Sequence, residues 1–448
     1  MLNKKNTFKK TAILLALAGA LGTQSVQAAN WLMLQGTEKS DQAPRAKVWG
    51  FAQVDYQKTD DTLLVAGGAA GTKAAFNQMA PQLTTSEGFN IKRARIGVRG
   101  ANFPLDKDVN YFLMMEMGNN GITTGGSGSQ GQLTDASVTL NHFDGARVRV
   151  GLFKTPGSEE SFKGIPVFNY VNFTSATDRL LIERKIDDTS ASPITDDITG
   201  KRTDPAFAVR DTGIQIFDSF KDGAWEHSYA VMLGNGNGLA FSDNDKNKDL
   251  YLYASTEKVF GKSKGPRRHG MKFYAWSQTG KRTVKVGDTT DTEFNRDRAG
   301  LGMTYFDGKY RAAAEYITAD GMIWGGPLGG AASNAAAGKL TAFPNQKADG
   351  YHIDLGYRVK PNIELNVRHD VLNSATEADD DTGSGFDKQR VFTTTTLGAQ
   401  YFFNKKTSVR ANYEIRDINA PTALAGSNPT KNSETIDNRL SAQLMMIF

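Results

Sequence analysis

Arginine recurs at alternate positions along short apolar runs, and that spacing is the clearest chemistry in the chain. In IKRARIGVRG, Arg93, Arg95 and Arg99 interleave with Ala94, Ile96 and Val98; in ARVRVGLFKT, Arg147 and Arg149 interleave with Val148, Val150 and Leu152. Arg410 and Arg416 alternate with Val409, Ala411, Tyr413 and Ile415, and Arg439 immediately precedes the last run, LSAQLMMIF. Neighbours on a strand point to opposite faces, so each run turns its guanidinium groups one way and its apolar groups the other. Fixed cations on the wall of a narrow aqueous space act on ions, and an opposing acidic stretch would complete a transverse field that sends ions of opposite sign along different paths. Glu183, Asp187 and Asp188 are the candidates for that acidic side. The competing reading balances the arginines inside the same wall with Asp55, Glu116, Asp135, Glu364 and Glu414.

Other chemistry is less well supported. GNGNG, Gly234 to Gly238, has no parallel strand–helix unit around it and reads as a solvated loop. DNDKNKD sets Asp243, Asp245, Asn247 and Asp249 at the spacing of a calcium loop, yet Lys248 stands where the turn glycine belongs and Ala254 where the closing glutamate belongs. The five histidines, His142, His227, His269, His352 and His369, show no metal-ligand spacing, and no Ser/His/acid set falls at recognisable positions. Catalysis, cofactors and metals are therefore not expected.

The arginines require strands, and strands recur throughout. YHIDLGYRV alternates Tyr351, Ile353, Leu355, Tyr357 and Val359 with polar residues; after KPN, IELNVRHDV does the same, which reads as an antiparallel hairpin. Short connections such as HFDG, FKDG, FDGK, KPN and FNKK take turns with long Gly/Ser/Asn/Asp-rich segments such as GNNGITTGGSGSQGQ and NSATEADDDTGSG. Such alternation of short turns and long loops belongs to a transmembrane antiparallel β-barrel. Strands are placed near 46–57, 89–99, 108–118, 132–141, 145–154, 210–218, 225–234, 249–259, 270–279, 297–306, 309–319, 350–359, 362–372, 391–403, 407–417 and 436–448, about sixteen in all, the even number a single-chain barrel needs. Within hydrocarbon every backbone N–H and C=O must be paired, so LSAQLMMIF has to meet the first strand, with Phe448 at the aromatic girdle as an assembly anchor.

The two ends of the chain add destination and charge. Lys4, Lys5, Lys9 and Lys10 precede the apolar run TAILLALAGALG and the small-residue site SVQA, the pattern of a signal peptide over 1–28. That run is shorter than the ~20 residues of a membrane-spanning helix. Four of the 53 lysines and arginines lie in this leader, which has no acid, leaving 49 basic against 48 acidic residues in the mature chain, or +1. Nothing in that balance calls for nucleic acid. There is no cysteine, so packing and hydrogen bonding alone hold the fold. Residues 29–45, including NWLMLQGTEKSDQAPR, form an N-terminal segment that either packs in the periplasmic mouth or stays disordered, and 46–448 forms the barrel.

IKRARIGVRG, YFLMMEMG, LTDASVTLNHF, and VRVGLFKTPGSEESFKG continuing to DRLLIERK resemble the phosphate-selective porin O and P family, most closely over 89–185. The resemblance implies a sixteen-stranded water-filled barrel in the Gram-negative outer membrane, surrounded by lipid and usually a homotrimer. It further implies a third external loop that folds inward and narrows the pore, here 155–209, and a terminal Phe448 read by the barrel-insertion machinery. The loop lacks an obvious run of lysines, a departure from the phosphate-specific members. The expected function is passive diffusion of small hydrophilic solutes and ions with mild anion preference, phosphate among them; the alternative is a surface-binding or adhesin barrel without significant transport.

Overall fold

A computed structural model describes residues 30–41, 43–59, 87–120, 122–123, 131–184, 209–261, 267–286, 290–325, 341–377, 389–426, 430 and 437–448. Sixteen antiparallel strands close into one barrel. They are β1 (Lys47–Thr59), β2 (Glu87–Ala101), β3 (Val109–Glu116), β4 (Gln132–Leu140), β5 (Arg147–Lys154), β6 (Arg210–Asp222), β7 (Trp225–Gly234), β8 (Asp249–Val259) and β9 (Gly270–Thr279). The circle continues with β12 (Asp297–Phe306), β13 (Tyr310–Asp320), β16 (Lys347–Lys360), β17 (Ile363–Ser374), β18 (Arg390–Phe402), β19 (Thr407–Asn419) and β20 (Arg439–Ile447). Two hairpins stand apart from the wall, β10 (Lys281–Val286) with β11 (Thr290–Asn295), and β14 (Ile323–Gly325) with β15 (Thr341–Phe343). The sequence pattern did not anticipate either hairpin, since both lie inside long polar connections. No helix among the described residues is long and apolar enough to cross a membrane.

The outer face is apolar, and the inner face carries the polar and charged groups together with buried apolar ones such as Phe217, Ile317 and Phe392. Ile96, Leu113, Val138, Val150, Ile214, Leu301, Ile353, Leu365, Val367 and Leu397 are exposed on the outer face, while Arg95, Glu116, Gln215, Arg298, Glu315, Glu364 and Arg410 are buried inside. Period-two alternation does this sorting strand by strand, and closure pairs every strand on both edges, as a hydrocarbon surround demands.

The seam is made by β1 and β20, with Phe51 opposite Ile447 and Thr59 opposite Arg439. Beyond the last paired strand residue, Gly50 and Phe448 exchange backbone hydrogen bonds of 3.3 and 3.0 Å. A Cβ on Gly50 would come within 2.3 Å of the Phe448 ring, so the closing aromatic can lie on the wall only because residue 50 has no side chain.

Two non-strand segments enter the barrel. Trp31–Met33 forms a 3-10 turn inside the rim that carries the short connections, and Leu32 is wholly buried. The connection after β5 runs inward through a one-turn helix, Glu159–Phe162, a 3-10 turn, Ile165–Val167, and a π-helical turn, Thr177–Leu181. Its described part, 155–184, fills much of the lumen.

Candidate functional site

The inward segment lies against the seam wall rather than across a gap from it. Lys92 of β2 donates to the Val171 carbonyl (2.6 Å) and to Asn172 Oδ1 (2.8 Å), and Arg410 of β19 donates to the Phe168 carbonyl (2.6 Å). Asn412 accepts the Val171 N–H at 2.7 Å, and Asn172 reaches Gln57 and Glu414 at 3.2 and 3.3 Å. Phe168 and Ile165 pack with Phe51 and Met445. Irregular backbone inside a barrel needs donors for its carbonyls, and inward cations of the wall supply them. Lys154 does the same for the short helix, donating to the carbonyls of Ser161 and Lys163, both at 2.8 Å.

Each arginine singled out from the sequence therefore has a specific surrounding. Arg93 donates to Gln53 (2.9 Å), Arg95 pairs with Glu116 (2.6 Å), and Arg439 pairs with Glu414. Arg99 donates to the Leu34 carbonyl (2.8 Å), and Arg149 lies over Phe217 while donating to the Leu32 carbonyl (3.4 Å). Arg416 donates to the Asp437 carbonyl at 2.7 Å. Arg147 shares a strand face with Arg149 and pairs with Asp218 at the turn end of β5. Glu183 does not face these groups: Arg282 and Arg296 hold it at 2.8 and 3.0 Å. Burial alone would raise its carboxyl pKa, but the two guanidinium groups keep it down at about 2. Asp187 and Asp188 lie outside the described residues.

The open space is on the other side of the segment. A cavity of about 140 Å³ lies between Glu159–Tyr170 and the wall of β8, β9, β12, β13, β16 and β17. Six basic residues line it, Lys163, Arg267, Arg268, Lys272, Arg311 and Arg368, against four acidic ones, Glu159, Glu160, Glu257 and Asp354. Most of these charges are paired. Arg268 binds Glu226 (3.0 Å), Arg368 binds Glu160 (3.0 Å), Arg311 binds Glu364 (3.1 Å) and Asp354, and Lys272 binds Glu159.

Lys163 and Arg267 form no salt bridge among the described residues. Burial, with repulsion from Arg311, pulls the Lys163 ammonium down to about 8, partly offset by Glu159. Burial lowers Arg267 to about 10, and its guanidinium lies 4.9 Å from the centre of the Phe402 ring. Both therefore carry charge at neutral pH.

None of the arginines chosen from sequence lines this cavity. Alternation does mark Lys272, Arg311 and Arg368 as sharing a face with Tyr274, Glu315 and Asp370, but it cannot tell which inward face stays uncovered. Lys163 and Arg267 lie in connections, where no periodicity points to them.

The remaining sequence candidates are accounted for locally. In DNDKNKD, Lys248 binds Asp243 and Arg282 binds Asp249 at 2.9 Å, so the would-be calcium donors turn to protein partners. At the rim of short turns, His142 meets Asp106 at 2.8 Å, and Asp108 lies beside them. This grouping joins two turns that are distant in sequence, which residue spacing could not register.

A family model described as phosphate-selective porin O and P matches residues 72–435. No curated protein matches the chain. Among solved structures, the anion-selective porin from Comamonas acidovorans is 13% identical, covers 90% of this chain and 99% of its own, and superposes with a TM-score of 0.51. The outer membrane channel DcaP of Acinetobacter baumannii is 11% identical over 93% of this chain and 100% of its own, with a TM-score of 0.51. OmpF of Salmonella typhi, in complex with daunomycin, is 13% identical over 90% and 97%, with a TM-score of 0.52. At such identities the likeness is one of fold.

Proposed function

The chain belongs to the phosphate-selective porin O and P family and is an outer-membrane porin, and on that premise we propose that the cavity beside the inward segment is its passage for small hydrophilic solutes, with a mild preference for anions. The observation that carries the preference is that Lys163 and Arg267 form no salt bridge among the described residues and are themselves the excess of six basic over four acidic groups in the lining. Low-dielectric walls around a small cavity leave their field little screened. The inward segment is the constriction, anchored by Lys92 and Arg410, and Arg93, Arg95 and Arg149 add to the field from behind it. Phosphate is one anion such a lining would admit.

Fold and family are those of a passive channel rather than an enzyme. The rest of the reading follows the family: export with cleavage after Ala28, assembly through the machinery that reads Phe448, and a homotrimer in lipid. A surface-binding barrel with an incidental lumen is the competitor. Single-channel conductance in a planar bilayer, with reversal potential in a salt gradient, tests the proposal. Steady current with anion preference is expected; no current, or firm cation preference, would sink it.

A further inference from the structure

The segment ahead of β1 folds back into the barrel and uses the donors of two lumenal arginines. Asn30 accepts the Leu32 N–H at 3.1 Å and donates to Glu226 of β7 at 3.3 Å. Leu32 belongs to the same buried apolar cluster as Phe217, Ala230 and Tyr253. Arg149 donates to the carbonyls of Leu32 and Gln35; Arg99 donates to that of Leu34 and pairs with Glu38. Asn110 donates to the Glu38 carbonyl at 2.9 Å. These contacts span the inward faces of β2, β3, β5 and β7, so the segment occupies part of the lumen that the connection after β5 leaves free.

Its leading end reaches the cavity. Trp31 lines it, and the indole N–H donates to Glu159 Oε1 at 2.8 Å, while the same carboxylate binds Lys272. Gly36 seats the segment: its φ is +76°, and a Cβ there would come within 2.3 Å of Thr139 Oγ1. A larger residue at 36 would lift the segment without altering the wall.

We propose that this N-terminal segment is a second constriction element, which closes the lumen over β2 to β7, confines ions to the cavity, and through Trp31 positions the Glu159–Lys272 pair on its edge. The inference deepens the channel reading and rests on it. The test uses the full mature chain in planar bilayers. Gly36→Val, and separately deletion of residues 31–41, should raise single-channel conductance about twofold or more and move the reversal potential toward anions, because Arg99 and Arg149 then face water. Trp31→Phe keeps the ring and loses the bond to Glu159; conductance should hold while the reversal potential moves toward cations. If the larger changes abolish insertion, Trp31→Phe decides, and an unchanged reversal potential there overturns the proposal. Inserted Gly36→Val or deletion channels with wild-type conductance overturn it as well. A wild-type chain that passes no current fails the channel reading itself.

Discussion

Two walls of the same barrel, built by the same alternation, put their cations to different uses. On the seam side, Lys92 and Arg410 end on main-chain carbonyls of the inward segment, and Arg95 and Arg439 end on Glu116 and Glu414. Across the lumen, Arg298 and Arg368 also donate to carbonyls of the inward segment, those of Leu180 (2.8 Å) and Asn172 (3.2 Å), but Lys272, Arg311 and Arg368, paired as they are, border open space with Lys163 and Arg267. A covered cation becomes a clamp, because leaving a buried carbonyl without a donor is costly; a cation beside water remains available to ions. Charge on an inward face is thus not enough to make a selectivity element.

The comparison breaks most visibly at the seam itself. Deleting Phe448, or changing Gly50→Val so that a side chain meets the Phe448 ring, should remove most of the folded barrel, read as loss of the heat-modifiable species from the outer membrane. Normal yield of both variants would mean that closure does not depend on this contact. Next in size is the clamp. Arg410→Met leaves the Phe168 carbonyl unsatisfied and should lower the stability of the folded protein in urea by about 1.5–3 kcal/mol, with noisier channels as the segment loosens.

Changes around the cavity should leave assembly alone and act on selectivity. Lys163→Gln combined with Arg267→Gln should lower the anion-to-cation permeability ratio about threefold or more, since two little-screened charges disappear from a narrow section. The pH dependence is a finer version of the same test. Lys163 is charged below its pKa of about 8 and neutral above it, so anion preference should fall between pH 7 and 9 in the wild type. It should stay flat over that range in Lys163→Gln, because Arg267, at about 10, remains protonated. A flat wild-type profile would remove Lys163 from the mechanism.

The smallest selectivity effect is expected from Arg93, Arg95, Arg147 and Arg149 changed together to Gln, which are covered, paired or at the rim. A shift in reversal potential larger than that of the Lys163 and Arg267 pair would return control to the seam wall. Glu183→Gln should move the potential slightly toward anions, because Arg282 and Arg296 lose a carboxylate that is ionised at any pH above about 2.

The wall itself was legible in the sequence. The expected runs 225–234, 249–259, 270–279 and 297–306 coincide with β7, β8, β9 and β12, and where strands run longer than expected, as β6 does to Asp222, the extra residues lie past the end of clean alternation. The closing role of LSAQLMMIF could likewise be argued from one physical requirement, that no strand edge be left unpaired in hydrocarbon. Alternation is local: it depends on the geometry of consecutive residues, and each strand states its own two faces.

Which inward face stays open is not local. It depends on where Asn30–Arg45 and the third connection run, and those paths are held by bonds between residues far apart in the chain, Arg410 with Phe168, Arg149 with Leu32, Lys92 with Val171. By itself the sequence determined a closed barrel with apolar outer and charged inner faces, because period two and backbone satisfaction leave no other solution for such a chain in a bilayer. Only the tertiary structure decided which cations hold the lumenal segments and which face the passage, because carbonyl groups of two irregular segments compete with water and ions for the same guanidinium donors.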